Sequence, residues 1–162
     1  MENNLAMLYN ELGTKVVSMI PGKWEKIYYL GEVENGKSSW SSVFYFTEND
    51  TEDYIVSHDI PEKYKVSEDI YEQLIDEANE ILLKIYDCFI ENDQEPWEQL
   101  SMLIDNTGKF NINYSYGAIS NNDKGPMERE MIWAYETFGK LPKEGTYMRK
   151  LLDKYIEQKS KL

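Results

Sequence analysis

Cysteine and histidine each occur once in the 162 residues, as Cys88 and His58. A lone cysteine excludes an internal disulfide and favours a reducing compartment. A lone histidine excludes any catalytic or metal set that needs two. Proline is scarce, with five residues, and no Pro/Ser-rich linker, low-complexity tract or internal repeat divides the chain. No run of 18 apolar residues exists, so no membrane span is expected. The N-terminal MENNLAMLYNELG lacks a basic region and a long apolar stretch, which predicts no signal peptide and a cytoplasmic protein. Gly-rich phosphate loops, CxxC pairs, HExxH and G-x-S-x-G are all missing. No cofactor is expected.

The length suits one domain, 1–162, able to bury a core without staples. Apolar residues make up 41% and aromatics 14%, with thirteen Tyr and four Trp. Such amphipathic rings serve both cores and binding surfaces. The net charge is −13 and uneven. Residues 48–98 hold seventeen Asp/Glu against three Lys, while 139–162 hold seven Lys/Arg against three Asp/Glu. A field this negative repels nucleic acid and attracts a basic partner. The alternative is that acidity only keeps the chain soluble.

Leu5, Leu8, Leu12, Val16 and Met19 recur at helical spacing over 2–20, and Pro21-Gly22 stops that helix. Aromatic and β-branched segments predict strands at 24–33, 39–47 and 53–58, the first two joined by a type I′ turn at Asn35-Gly36. Ser67 is an N-cap for a long helix reaching about Asn92. Its predicted apolar stripe is Ile70, Leu74, Ala78, Ile81, Ile85 and Cys88, opposite Glu72, Asp76, Glu80, Asp87 and Glu91. Strands at 97–104 and 109–116 follow, the second alternating Phe110, Ile112, Tyr114 and Tyr116. Helices at 127–138, capped by Gly139, and 144–160 complete the chain. The expected fold is α+β: an antiparallel sheet of about five strands with helices packed on one face.

Candidate chemistry is thin. His58 beside Asp59 has the form of a positioned base, but no nucleophile is marked, and a turn histidine explains it. Cys88 lies on the apolar stripe and reads as a buried structural thiol. Glu48, Asp50, Glu52 and Asp53 crowd one loop, yet the EF-hand spacing with its glycine is absent. The pairs Glu72/Asp76 and Asp76/Glu80 lie on an exposed helix face with no cleft marked around them. What remains is an acidic binding module for a basic partner, with no catalytic and no metal residues.

Three stretches together carry a resemblance. They are Ile20-Pro21-Gly22-Lys23-Trp24 through Tyr28, then Glu95-Pro96-Trp97 with two strands joined at Asn106-Thr107-Gly108, and finally Trp133 to Pro142 with its Phe138-Gly139-Lys140-Leu141-Pro142 ending. In order and spacing they resemble the YezG-like immunity family, over nearly the whole chain. That family comprises antitoxins found beside toxins exported by the type VII secretion system. The resemblance implies a non-enzymatic protein that binds and inhibits the basic C-terminal nuclease domain of a cognate toxin, without touching nucleic acid or membrane itself. A secretion chaperone without inhibition, immunity against a non-nuclease toxin and a carboxylate-based hydrolase are the alternatives. Exposed aromatics also suit a homodimer in the toxin-free state. Trp24, Trp97, Phe138, Gly139 and Pro142 suit the scaffold, so partner contacts are expected from exposed groups: Trp40, Tyr45, Glu48, Asp50, Asp53, Asp123, Glu128 and Trp133.

Overall fold

The computed structural model describes residues 1–49 and 51–162. They divide into two compact units, Met1–Asn121 and Asn122–Leu162.

The first unit is an α+β layer structure. A five-stranded antiparallel sheet has the order β3-β2-β1-β4-β5, formed by β1 (Trp24–Val33), β2 (Trp40–Glu48), β3 (Tyr54–Val56), β4 (Gln99–Asp105) and β5 (Phe110–Ser115). Two helices, α1 (Glu2–Ser18) and α3 (Glu68–Glu91), pack with each other and share one core with Ile27, Tyr29, Val33, Phe44, Phe46, Leu100, Met102 and Ile104 of the sheet. Strand alternation puts those eight residues on one face. A short helix, α2 (Ile60–Tyr64), with proline in its first turn where no intrahelical donor is needed, leads into α3.

Gly31 fixes how closely α3 approaches. A Cβ built there would lie 2.6 Å from Leu82 Cδ1. Only glycine lets the helix seat Leu82 directly on β1. A polar relay ties β1, β2 and α3. Tyr29 Oη lies 2.6 Å from Ser42 Oγ, which donates to Asn79 Oδ1 at 2.6 Å. Burial raises the Tyr29 phenol well above its usual pKa, so it stays neutral.

Several expected features shift. The predicted stripe of α3 is rotated: Ile70 is 60% exposed and Leu74 only partly buried, whereas Tyr71, Ile75, Leu82, Tyr86 and Phe89 join Ala78, Ile81, Ile85 and Cys88 inside. The β1–β2 turn is not a two-residue type I′ turn. Val33 pairs with Trp40, and positive φ falls on Gly36 and Lys37 rather than on Asn35. Asn35 is instead held by its neighbours, its N–H donating to Glu98 Oε2 and its Oδ1 accepting from Tyr86 Oη.

In the second unit, α4 (Pro126–Phe138) and α5 (Tyr147–Ser160) pack together. Gly139 takes the left-handed conformation that ends α4. Thr146 caps α5 by accepting from the Arg149 N–H. Among the described residues no helix is long and apolar enough to cross a membrane.

Candidate partner-binding surface

Helix α3 is the most acidic element and carries the most distinctive surface. Ser67 opens it by accepting from the Ile70 N–H, and Glu68 and Asp69 lie against the positive end of its dipole. From there Glu68, Glu72, Asp76 and Glu80 recur every fourth residue, and all four are exposed. Four residues of helix advance about 6 Å with little rotation, so the carboxylates form one row. Like charges at this spacing repel. Among the described residues none of the four joins an ion pair.

The neighbouring acids differ. Glu77, one face round, accepts from Lys15 Nζ at 2.7 Å and from Gln73, and these bonds hold its carboxyl below the usual range. Asp87 pairs with Lys37 at 2.9 Å. The row has no such pair: Lys84, the residue at the same spacing one turn beyond Glu80, is exposed and joins no ion pair among the described residues.

Trp40 is the exposed aromatic nearest to this helix by topology. It is 48% exposed. It sits on β2 between two anchors to α3, the Ser42–Asn79 and Lys37–Asp87 bonds, and alternation turns it to the face that Ser42 and Phe44 share. An apolar side chain, Ile70, lies exposed near the other end of the row.

The residues singled out in the sequence do not form one cluster. Trp40 and Glu48 end opposite tips of β2, about 27 Å apart at the antiparallel rise. Glu48 pairs with Lys63 at 3.3 Å, and Asp53 is exposed in the turn before β3. Asp50 lies outside the described residues. Tyr45 and Trp133 are each 7% exposed, which corrects the expectation that they are surface groups. Tyr45 sits on an inner strand, and Trp133 packs edge to face on Phe138. In the Asn122–Leu162 unit, Asp123 is almost fully exposed and 3.9 Å from Lys124, and Glu128 lies in the first turn of α4. The acidic face of the long helix was read from the sequence, but none of its residues was singled out for partner contact. Glu72, Asp76 and Glu80 were visible as an outer face, but not Glu68 as the start of a row.

The other chemical candidates are structural in place. His58 Nδ1 lies 3.4 Å from Tyr71 Oη, and Cys88 is buried on α3. Among the described residues no group of three His, Cys, Asp or Glu is placed to hold a metal ion. Two carboxylates are buried in unit one: Glu32, which accepts from Gln99 Nε2 at 2.8 Å, and Glu98, 2% exposed. Glu98 accepts from the N–H groups of Asn35, Ile119 and Ser120 and from the Ser120 hydroxyl, at 2.7–3.0 Å. Burial pushes its pKa up, and the bonds from Ser120, Asn35 and Ile119 outweigh that, leaving it below the ordinary value. Glu98 thus clips two loops to the sheet.

These observations define an acidic α+β protein whose distinctive feature is a charged outer helix face. Comparison with known sequences places it further. The family model described as Immunity protein YezG-like matches residues 5–152. The chain is 33% identical over 150 residues to Immunity protein YezG of Bacillus spizizenii, covering 93% of this chain and 91% of that one. Against Immunity protein YezG of Bacillus subtilis it is 34% identical over 137 residues, 85% and 89% of the two chains. The type VII secretion system protein EsaG of Staphylococcus aureus is 26% identical over 159 residues, 97% and 96% of the two. The chain belongs to the YezG-like immunity protein family.

Proposed function

We propose that this protein is a cytoplasmic, non-enzymatic antitoxin that binds and inhibits the nuclease domain of a cognate toxin exported by a type VII system. The observation that carries this reading is the unpaired row Glu68, Glu72, Asp76 and Glu80 on α3. A nuclease groove is built to receive a line of phosphates and is therefore basic. A rigid helix presenting carboxylates about 6 Å apart offers that groove a competing line of negative charge. Trp40 would anchor the contact, and Asp50 and Asp53 would add to the steering field. The relationship to a type VII secretion system protein supports the exported partner. The family match runs through both compact units, which supports their acting as one functional domain, 1–162.

The test is a tagged pull-down from the native host, with DNA cleavage by the eluate assayed before and after this protein is stripped off. Recovery of a secreted toxin whose nuclease activity appears only on release supports the reading. A bound toxin equally active before and after release would make this a carrier without inhibition. An inactive bound toxin with no nuclease activity after release would redirect the immunity to other chemistry.

A further inference from the structure

Strand β5 ends the sheet, and among the described residues its outer edge is unpaired. Its register with β4 determines which backbone groups are left over. Asp105 N–H donates to the Lys109 carbonyl at 3.0 Å, and pairing continues as Leu103↔Asn111, Ser101↔Asn113 and Gln99↔Ser115. In an antiparallel ladder these residues point their N–H and C=O groups at the partner strand, and the intervening ones point theirs away. Phe110, Ile112 and Tyr114 therefore present their backbone groups outward. The segment 110–116 holds no charged residue, proline, glycine or bulge. Those are the devices that keep an open edge from pairing.

We propose that this edge pairs with a second copy of the chain, antiparallel about a two-fold axis at Ile112, joining two five-stranded sheets into one. The sequence around Ile112 is a chemical palindrome, Phe110-Asn111-Ile112-Asn113-Tyr114. Pairing about its centre sets Phe110 opposite Tyr114, Asn111 opposite Asn113 and Ile112 opposite its own copy. Aromatic pairs meet on one face and amide pairs on the other. Lys109 falls opposite Ser115, so no like charges meet. The axis that satisfies the side chains is also the one that satisfies the outward backbone groups, with about six interchain hydrogen bonds.

Charge favours this occupant. Two chains of −13 repel each other, and the neutral stretch of β5 is a place where they can meet without that cost. A basic partner gains nothing from a neutral edge and everything from α3. Phe110 is 42% exposed and Tyr116 49%, while Tyr114 is bonded to Tyr9 and packed on Phe89. The strand is thus held rigid from behind. One strand edge makes a small interface, which places the dimer in the micromolar range.

The experiment is sedimentation of the full chain from about 1 to 500 µM, with two double variants on the exposed face of β5. Asn111→Glu with Asn113→Glu sets acids opposite acids across the axis, whereas Asn111→Lys with Asn113→Glu sets opposite charges. The native chain should pass from monomer to dimer. The first variant should dimerise at least ten-fold more weakly, and the second should recover to within about three-fold of native. Amide exchange at Phe110, Ile112 and Tyr114 should slow with protein concentration, while Asn111 and Asn113 stay protected throughout. A native monomer at every concentration would overturn the proposal, as would equal dimerisation of both variants. So would exchange protection of these three amides that appears only on adding the nuclease domain of a toxin.

Discussion

The two compact units treat charge in opposite ways. Met1–Asn121 holds twenty-three Asp/Glu against eight Lys/Arg, and four of those acids stand in a row on α3 that joins no ion pair among the described residues. Asn122–Leu162 holds seven Asp/Glu against nine Lys/Arg and closes them locally. Arg149 pairs with Asp153 and Lys161 with Glu157, each one helical turn apart, and Lys159 reaches Glu136 of the facing helix. Exposed pairs of that kind contribute little to stability, and they leave little field for a partner. An uncompensated row does the reverse. It costs the helix a few tenths of a kcal/mol per like-charge step and projects a field that a basic surface can use.

Four variants break or sharpen this contrast. The largest effect is expected from Glu72→Lys, Asp76→Lys and Glu80→Lys together. Affinity for the cognate nuclease domain, measured by titrating DNA cleavage, should fall by about three orders of magnitude. Thermal stability should not fall with it, because the row contributes no pair to the fold.

Glu98→Ala should give the opposite result. Four part-buried donors lose their acceptor, so chemical denaturation should show a loss of about 3 kcal/mol, with inhibition retained by the folded fraction. Its pH dependence has a definite sign. A lowered folded pKa stabilises in full above the unfolded value near 4.3, and the contribution fades as pH falls through the folded value. The stability gap between native and Glu98→Gln should therefore narrow on acidification below about pH 4. A gap that widens in acid would mean Glu98 is protonated in the fold.

Trp40→Ala should weaken binding by about 2 kcal/mol, chiefly through a faster off-rate, with folding changed by less than 0.5 kcal/mol. Surface plasmon resonance separates the two rates. Lys161→Ala, at an exposed pair, should change neither binding nor stability by more than about 0.5 kcal/mol. A large binding loss there would erase the distinction between the two units.

Most elements were readable from pattern. Trp24–Val33 has the predicted bounds because a segment rich in aromatic and β-branched residues lies between Pro21-Gly22 and the turn. Ser67 and Gly139 end their helices as their chemistry requires. The misses came from tertiary contacts that local period cannot see. Helix α3 has the right length but a rotated stripe, because Leu82 must seat on Gly31, and that contact spans fifty residues of chain. The first turn moved by one residue because Asn35 is committed to Glu98 and Tyr86. The candidate surface was half legible. Trp40 is exposed as expected, but Tyr45 and Trp133 are inside, since an aromatic ring suits core and surface equally and composition does not separate them. The acidic row was spelled out at every fourth residue, yet only its exposure and its lack of ion pairs among the described residues distinguish it from an ordinary solvated face.

The most direct test of the central claim is the association rate with the nuclease domain of the cognate toxin, followed by stopped flow from low to high salt. The α3 row predicts a native rate that falls steeply with ionic strength, and a Glu72→Lys/Asp76→Lys/Glu80→Lys variant that is slow at low salt and nearly salt-independent. A variant that associates as fast as the native protein, with the same salt dependence, would contradict the assignment of this face to the toxin.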